Sequence, residues 1–273
     1  MIARSPEIEL FRTLLASHLG IDFGRQQPVF LETRLRRRMT QAGARSLYEY
    51  YRMVAPGGDP RELELLVNDV AIHETSFFRN PAQFELLQRL ALPDRVSARL
   101  RSGERRLQIW SAGCSTGQEP YSIAITLAES VVLPEKWDLG LLATDVASQA
   151  LDHARRGRYT VAQVDGVSAP RRQRFFERRG DAFTVRPWAR RGLEFRQGNV
   201  LAGPPRGGFD VVFCRNLMIY FDRQRQKRLA EVLEAAVTPG GYLFLGHTES
   251  LAGLSFAFSL VSLGNGIVYQ RQP

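Results

Sequence analysis

The sequence is short of several things, and each shortage excludes something. It has two cysteines, Cys114 and Cys214, in 273 residues. Two thiols are too few for a cysteine-based metal site and give no disulfide framework, so a reducing cytoplasm fits best. Lys136 and Lys227 are the only lysines among 37 lysines and arginines, so the net charge of +9 is an arginine charge. A basic balance suits nucleic acid, acidic proteins or anionic membranes, or reflects arginine-rich codon usage alone; position along the chain has to separate these. No uninterrupted apolar run approaches membrane-span length. No basic segment leads into a long apolar run at the start, so no signal peptide is expected. Repeats at solenoid spacing and low-complexity tracts are also missing. The remainder is ordinary for a globular chain: 44% hydrophobic and 24% charged, enough for one large domain or a small one plus a medium one.

What is present is organised around 107–124. Leu107 to Trp110 reads as a short buried strand, Ser111 to Gly117 as a small-residue loop, and Pro120 sits where a helix can begin. Glycines at 113 and 117 allow close backbone approach to a ligand, although the full G-x-G-x-x-G is missing. Two readings stay open on that pattern: a tight strand-to-helix turn, or the opening unit of a nucleotide-binding α/β domain. Two further strands favour the second. Leu139–Asp145 is apolar and ends in an acid, at a suitable distance for a carboxylate on ribose hydroxyls. Phe209–Asp222 is another strand ending in a polar turn. Together they suit an adenosine-type cofactor.

In chain order, Ser5-Pro6 starts a helix that Gly20 stops, with Ile8, Phe11, Leu15 and Leu19 on its stripe. A second helix runs from about Pro28 to Ala42, with Leu31, Leu35 and Met39 on one face. Ser46-Leu-Tyr-Glu49 is a capping box for a third, and Asp59-Pro-Arg-Glu62 repeats the logic for a fourth. Asn80-Pro-Ala-Gln83 starts another helix, with Phe84, Leu87 and Leu90 inward, and 95–106 reads as charged and exposed. Strands are expected at 107–111, 139–144, 193–197, 209–214 and 241–246, alternating with helices as a parallel sheet requires. Apolar runs at 256–261 and 266–270 suit a closing antiparallel pair. Residues 157–192 break the alternation: 174–179 and 182–186 flank Gly180-Asp181 as a small hairpin. Arg171, Arg172, Arg174, Arg178, Arg179, Arg186, Arg190 and Arg191 lie in this segment, as a solvated basic loop or as a docking surface.

Five stretches, in order, give a specific resemblance. Glu74-Thr-Ser-Phe-Phe-Arg-Asn80, Ala112–Ser122, Ala143-Thr-Asp145, Phe213–Asp222 and Gly246-His-Thr-Glu-Ser-Leu251 resemble the signature blocks of the CheR-type chemoreceptor methyltransferases. The resemblance implies an α/β fold: an N-terminal helical domain (1–72), a linker with a helix (73–106), and a Rossmann-like methyltransferase domain (107–273) with a β-subdomain inserted at 157–192. It implies S-adenosylmethionine as cofactor, S-adenosylhomocysteine as product, and no metal. By the same resemblance Asp145 contacts the ribose, Glu119 the amino-acid or ribose part, Asn199 and Val200 the adenine side, and Arg215 and Asn216 the methionine end. Thr75 and Arg79, which the resemblance also places at the cofactor, come from the linker and would share a face if that stretch is helical. Where the family usually carries Asn, this chain has His73, which can keep a hydrogen bond to the cofactor and adds pH dependence.

The chemistry implied is methyl transfer to a glutamate of a receptor. A glutamate has a reference pKa near ~4.3, so it is already a nucleophile at neutral pH and needs no general base. That accords with motifs that offer Arg, Tyr, Asn and Glu but no Ser-His-Asp arrangement. Arg79 can grip a carboxylate, and Tyr220 can orient the acceptor oxygen; both are the expected catalytic residues. The rivals fit less well. Amino-group nucleic-acid methyltransferases carry an Asn/Asp-Pro-Pro-aromatic turn where this chain has Cys214-Arg-Asn-Leu217, and cytosine enzymes need a cysteine, usually after proline, whereas Cys214 follows Phe213. A non-catalytic module would not need Arg79, Tyr220, Glu119 and Asp145 together. The expected partner is therefore the cytoplasmic helical bundle of a chemoreceptor, not nucleic acid, with a membrane reached only through the receptor and the enzyme a monomer. Arg34, Arg37 and Arg38, at i, i+3 and i+4, share a helix flank expected to meet that acidic bundle. The compact turn at Arg178-Arg-Gly-Asp181 leaves little loop to grip a receptor tail, so recognition is expected to be independent of the tail.

Overall fold

The computed structural model describes residues 5–20, 28–133, 137–254 and 257–272. Four helices come first: α1 (Pro6–Leu19), α2 (Pro28–Gln41), α3 (Leu47–Val54) and α4 (Pro60–Val70). Pro6 opens α1, and Gly20 closes it in the left-handed region at φ 75°, returning its N–H to the Ala16 carbonyl. Phe11, Leu15, Leu31, Leu35, Tyr50 and Leu66 fill the bundle core, with Phe11 stacked on Tyr50 at 5.5 Å.

Both capping boxes differ from the expected form. The Ser46 hydroxyl accepts from the Glu49 N–H at 3.1 Å, but the Glu49 carboxylate turns to the Arg45 N–H at 2.7 Å. At α4, Asp59 caps the Arg61 N–H at 2.8 Å, and Glu62 leaves the cap altogether. Glu62 is buried and accepts from Arg38 at 2.6 Å and from the Tyr50 hydroxyl at 2.9 Å, tying α2, α3 and α4 together. A buried carboxylate needs such partners, and that need outweighs the cap. Burial and Glu62 raise the pKa of Tyr50 well above its usual range, so this hydroxyl stays a donor.

The next helical stretch is interrupted. After α5 (Pro81–Leu86), a wide turn over Leu87–Ala91 leads into α6 (Leu92–Arg101). Pro93 has no N–H, and its ring crowds the carbonyl four residues back, so the hydrogen-bond ladder widens there. The expectation of an exposed 95–106 fails at Val96, which is buried, and at two charged positions. Arg95 and Arg99 turn inward onto Asp210, at 3.8 and 2.8 Å, and Asp210 also accepts from the Gln108 N–H at 2.9 Å. Charge by itself did not mean exposure, because a fully buried carboxylate waited on a strand more than a hundred residues away.

The sheet then builds as β1 (Arg106–Ala112), α7 (Gln118–Glu129), β2 (Asp138–Asp145) and α8 (Ser148–Arg156). A separate three-stranded sheet follows, β3 (Arg158–Thr160), β4 (Phe176–Arg179) and β5 (Ala182–Val185), with α9 (Ala169–Phe175) between its first two strands. The chain returns through β6 (Leu193–Gln197), β7 (Phe209–Cys214), α10 (Arg223–Ala236), β8 (Val237–Leu245), β9 (Phe258–Leu263) and β10 (Gly266–Arg271). The main sheet has seven strands in the order β6-β2-β1-β7-β8-β10-β9, with β9 and β10 antiparallel. Successive side chains point to opposite faces: Ile109, Leu141 and Val211 pack towards α5 and α7, whereas Trp110, Leu142 and Val212 pack towards α10.

Some boundaries move. Strand β8 starts at Val237, four residues earlier than expected, because a bulge holding Pro239 and Gly240 carries the ladder from Phe209–Val237 to Val211–Tyr242. The hairpin strand β4 begins at Phe176, and Arg174-Phe175 belong to α9. The last pair spans 258–263 and 266–271 rather than 256–261 and 266–270; Phe256 lies outside the described residues. Helix α7 opens at Gln118, two residues before Pro120. Two arginines of the inserted segment are structural: Arg171 pairs with Glu129 at 2.8 Å and lies 4.1 Å over the Phe78 ring, and Arg190 donates to the carbonyls of Val185, Arg155 and Arg156. Among the described residues no helix is long and apolar enough to cross a membrane.

Asp210 holds α6, β1 and β7 in one ion network, so Asp210→Ala should remove the buried counter-charge of Arg95 and leave Arg99 only its pair with Glu104 at 2.7 Å, costing about 3–5 kcal/mol in a urea titration. Asp181→Ala, at the exposed hairpin tip, should stay within about 0.5 kcal/mol. Equal urea midpoints for the two variants would mean that the network contributes nothing.

Candidate active site

The site lies at the ends of β1, β2 and β7, where the strand order reverses about β1. Strand β1 delivers the chain into a loop with three left-handed residues: Gly113 at φ 76°, Ser115 at 50° and Gly117 at 97°. Ser115 carries a Cβ, so its conformation must be enforced by its surroundings. The Gly113 and Cys114 N–H groups donate to the Thr144 carbonyl at 2.8 and 2.9 Å. The Ser115 N–H donates to Asp145 at 2.8 Å, and the other Asp145 oxygen accepts from the Ala147 N–H at 2.9 Å. Burial raises the Asp145 pKa, against these backbone donors and nearby His73, which lower it. Both cysteines are buried, and burial raises each thiol well above its usual range, so neither is a nucleophile at neutral pH.

Glu119 and Arg215 form the centre of the far wall. One Glu119 oxygen accepts from the Ser111 hydroxyl at 2.7 Å and the other from Arg215 Nε at 2.7 Å. Arg215 Nη1 also donates to the Arg79 carbonyl at 2.6 Å and to the Gln83 side chain at 2.7 Å. Gln83 in turn donates to the Leu245 carbonyl at 2.6 Å. The turn after β7 is held by Glu249, whose carboxylate accepts from the N–H groups of Asn216, Met218 and Gly246 at 2.7, 2.7 and 2.6 Å. Asn216 sits there at φ 58°.

Two adjoining cavities result. One, of about 70 Å³, is mostly apolar, with Leu19, Ala71, Val146, Val200 and Phe221 in its wall and Asn199 at its edge. The other, of about 110 Å³, is polar, with Thr75, Arg79, Ser115, Glu119, Arg215 and Asn216 around it. Ile72, Gly113, Asp145, Leu217 and Tyr220 belong to both. An apolar slot joined across a carboxylate to a polar compartment matches a ligand with a purine at one end, a ribose in the middle and a charged amino acid at the other. The donor set therefore fits S-adenosylmethionine.

The structure brings most of the expected residues together. Thr75 and Arg79 reach the polar cavity without a helix, since Phe78 and Asn80 take left-handed conformations and turn the chain back. Arg79 donates to the Glu74 carbonyl at 2.9 Å and lies 3.7 Å from the Glu74 carboxylate. Tyr220 is half-buried; burial and Glu74 raise its pKa, so it remains a hydrogen-bond donor through neutral pH. His73 is exposed and lines neither cavity. The Asn199 side chain is engaged at both ends, donating to the His18 carbonyl at 2.8 Å and accepting from the Leu201 N–H at 2.9 Å. On α2, Arg34 lies 5.0 Å over the Phe30 ring, Arg37 pairs with Asp69 at 2.6 Å, and Arg38 is committed to Glu62. The supporting residues Ser111, Gln83 and Glu249 escaped sequence reasoning. Glu249 had a signal, since it stands in the Gly246–Leu251 block; Gln83 read as part of a helix start.

Comparison with known proteins agrees with this geometry. Residues 73–267 match the CheR methyltransferase SAM binding domain, and residues 6–71 match the CheR methyltransferase all-alpha domain. A chemotaxis protein methyltransferase of Pseudomonas aeruginosa is 37% identical with full coverage of both chains. One from Pseudomonas putida is 36% identical over 97% of this chain and 98% of its own, and one from Vibrio parahaemolyticus is 35% identical over 95% and 94%. The fold, the two-part cavity and these matches define an S-adenosylmethionine-dependent methyltransferase. More narrowly, the chain belongs to the CheR methyltransferase family.

Removing the carboxylate shared by both cavities should weaken cofactor binding. Calorimetry with S-adenosylhomocysteine should give Asp145→Ala an affinity at least about tenfold below wild type, the scale of lost charge-assisted hydrogen bonds. Unchanged affinity would place the ribose elsewhere.

Proposed function

We propose that this enzyme methylates glutamate side chains on the cytoplasmic helices of chemoreceptors, giving glutamate methyl esters and S-adenosylhomocysteine in chemotactic or related signalling. The observation that carries the reading is the polar cavity, which Arg79 and Tyr220 line together with Asp145 and Glu119. A cation and a neutral donor beside the cofactor compartment suit an anionic acceptor that arrives already ionised. When bound, S-adenosylmethionine supplies an electrophilic methyl group on a sulfonium. The residues of this chain then have positioning to do, and no proton to move.

In this reading Asp145 accepts from the ribose hydroxyls, and Val200 with its apolar neighbours encloses the adenine. Asn199 borders that slot, and His73, exposed and outside both cavities, would reach the cofactor only from the solvent side. Glu119, Thr75, Arg215 and Asn216 serve the methionine end. Arg79 and Tyr220 orient the acceptor carboxylate and displace its water. Receptor docking falls to the basic flank of α2. Arg38 is spent on Glu62, so Arg34 and Arg37 are the pair left to meet an acidic helix bundle; the exposed Arg37–Asp69 contact is weak enough to exchange. The two-residue turn at Gly180-Asp181 supports recognition without a receptor tail; in this reading the enzyme acts as a monomer in the cytoplasm.

The direct experiment is transfer of labelled methyl groups to a purified receptor cytoplasmic fragment, with the label released by mild base as expected of a carboxylate ester. Label that stays through base treatment would contradict the glutamate assignment. Arg79→Ala and Tyr220→Phe should each lower turnover by on the order of tenfold or more while S-adenosylhomocysteine affinity stays within about threefold. Wild-type turnover in both would remove these roles. An Arg34→Ala/Arg37→Ala double variant should bind cofactor normally but methylate receptor more slowly, with a flatter salt dependence. Wild-type methylation at physiological salt by that variant, or loss of wild-type methylation when the receptor tail is deleted, would contradict the docking account.

A further inference from the structure

Tyr159 belongs to the inserted sheet, yet it contacts the glycine loop and the 74–80 turn, the two segments that flank the cofactor site. It is the central residue of β3, paired with Phe183 of β5, and its ring is fully buried. Its hydroxyl donates to the Thr116 carbonyl at 2.8 Å, inside the glycine loop. Its ring meets Phe77 edge-on at 4.9 Å, on the turn that carries Thr75 and Arg79. Phe77 also meets Phe176 of β4 at 5.4 Å. The next residue, Phe78, donates its N–H to the Ser122 hydroxyl at 2.9 Å, close behind the loop on α7.

The loop needs such a brace. Its three left-handed residues include Ser115, a conformation that persists only where the surroundings enforce it. The ties to Thr144 and Asp145 act from the β2 side. Tyr159 acts from the inserted sheet. The fit is close: a Cβ on Gly117 would stand 2.9 Å from the Tyr159 oxygen and 2.8 Å from the Ala154 Cβ.

We infer that Tyr159 is a positioning residue for methyl transfer, with its hydroxyl fixing the cofactor loop and its ring seating the turn that carries Arg79. The inference rests on the placement of the cofactor at this loop. It assigns the inserted sheet a direct part in shaping the cofactor site, beyond any part in receptor docking.

The test is Tyr159→Phe in the full-length enzyme, beside Tyr121→Phe as a matched control. Tyr121 is equally buried, and its hydroxyl donates at 2.7 Å to the Ala154 carbonyl on α8, not to the loop. Both variants lose one buried hydrogen bond, so both should lose similar thermal stability. Tyr159→Phe alone should weaken S-adenosylhomocysteine binding and raise KM for S-adenosylmethionine by roughly three- to tenfold, the effect of one hydrogen bond, with kcat at saturation within about twofold. Phe77→Leu should show the opposite split, a lower kcat with near-normal product affinity. Equal affinity losses in Tyr159→Phe and Tyr121→Phe would reduce Tyr159 to a stability residue and overturn the inference. So would wild-type affinity in Tyr159→Phe when Asp145→Ala binds weakly, a result that leaves the cofactor site standing. Wild-type affinity in Asp145→Ala as well would remove the site and the inference together.

Discussion

The buried Arg215 guanidinium is the interaction on which the rest of the site depends. It takes a carboxylate from α7, a side-chain amide from α5 and a backbone carbonyl from the turn that carries Arg79. It also lies 5.5 Å over the Phe84 ring and 5.9 Å over the Phe213 ring. A charge in this position is costly unless every partner is in place, so the elements that supply the partners are fixed relative to one another. One side chain thereby sets the spacing between the glycine loop, the turn after β7 and the 74–80 turn. Glu249 completes the arrangement by gathering three backbone N–H groups of the β7 and β8 turns.

The helical domain is part of this site. Asn68 on α4 donates to the Ser148 hydroxyl at 3.1 Å and accepts from the Gln149 N–H at 3.0 Å, so it stands at the start of α8 as a cap supplied from another domain. The Asn199 contact to the His18 carbonyl closes the same seam from the other side. Leu19, Ala71 and Ile72 consequently form a wall of the apolar cavity. Nothing in that wall needs to be polar if it covers a purine face, and the polar atoms of the seam are used to hold the domains together.

The parts legible in the sequence were those written in local pattern. Strands 193–197 and 209–214 have the expected bounds, and the glycine loop and Asp145 stand where spacing put them. The parts that escaped depend on partners far along the chain. Arg95 and Arg99 read as exposed because Asp210, which accepts Arg99 from 111 residues away, read as an ordinary strand residue. Glu62 read as a cap because its true partner, Arg38, lies 24 residues back. Gln83 read as part of a helix start, whereas it reaches Arg215 132 residues on. Thr75 and Arg79 were grouped correctly around one space for an incorrect local reason, since two left-handed residues and not a helix bring them together. Residue type reports a preference for water or core, and a long-range ion pair reverses that preference without leaving a periodic signal.

The central claim is that the Glu119–Arg215 pair assembles the site before any ligand binds. A double-mutant cycle measures it most directly: unfolding free energies of wild type, Glu119→Gln, Arg215→Met and the double variant, in urea and without cofactor. The two side chains touch at 2.7 Å in a buried setting, so the account predicts a coupling energy above about 1 kcal/mol, with the double variant less destabilised than the sum of the singles. Additivity within about 0.5 kcal/mol would contradict it, because independent residues could not hold the loop, the turn and the helix in register.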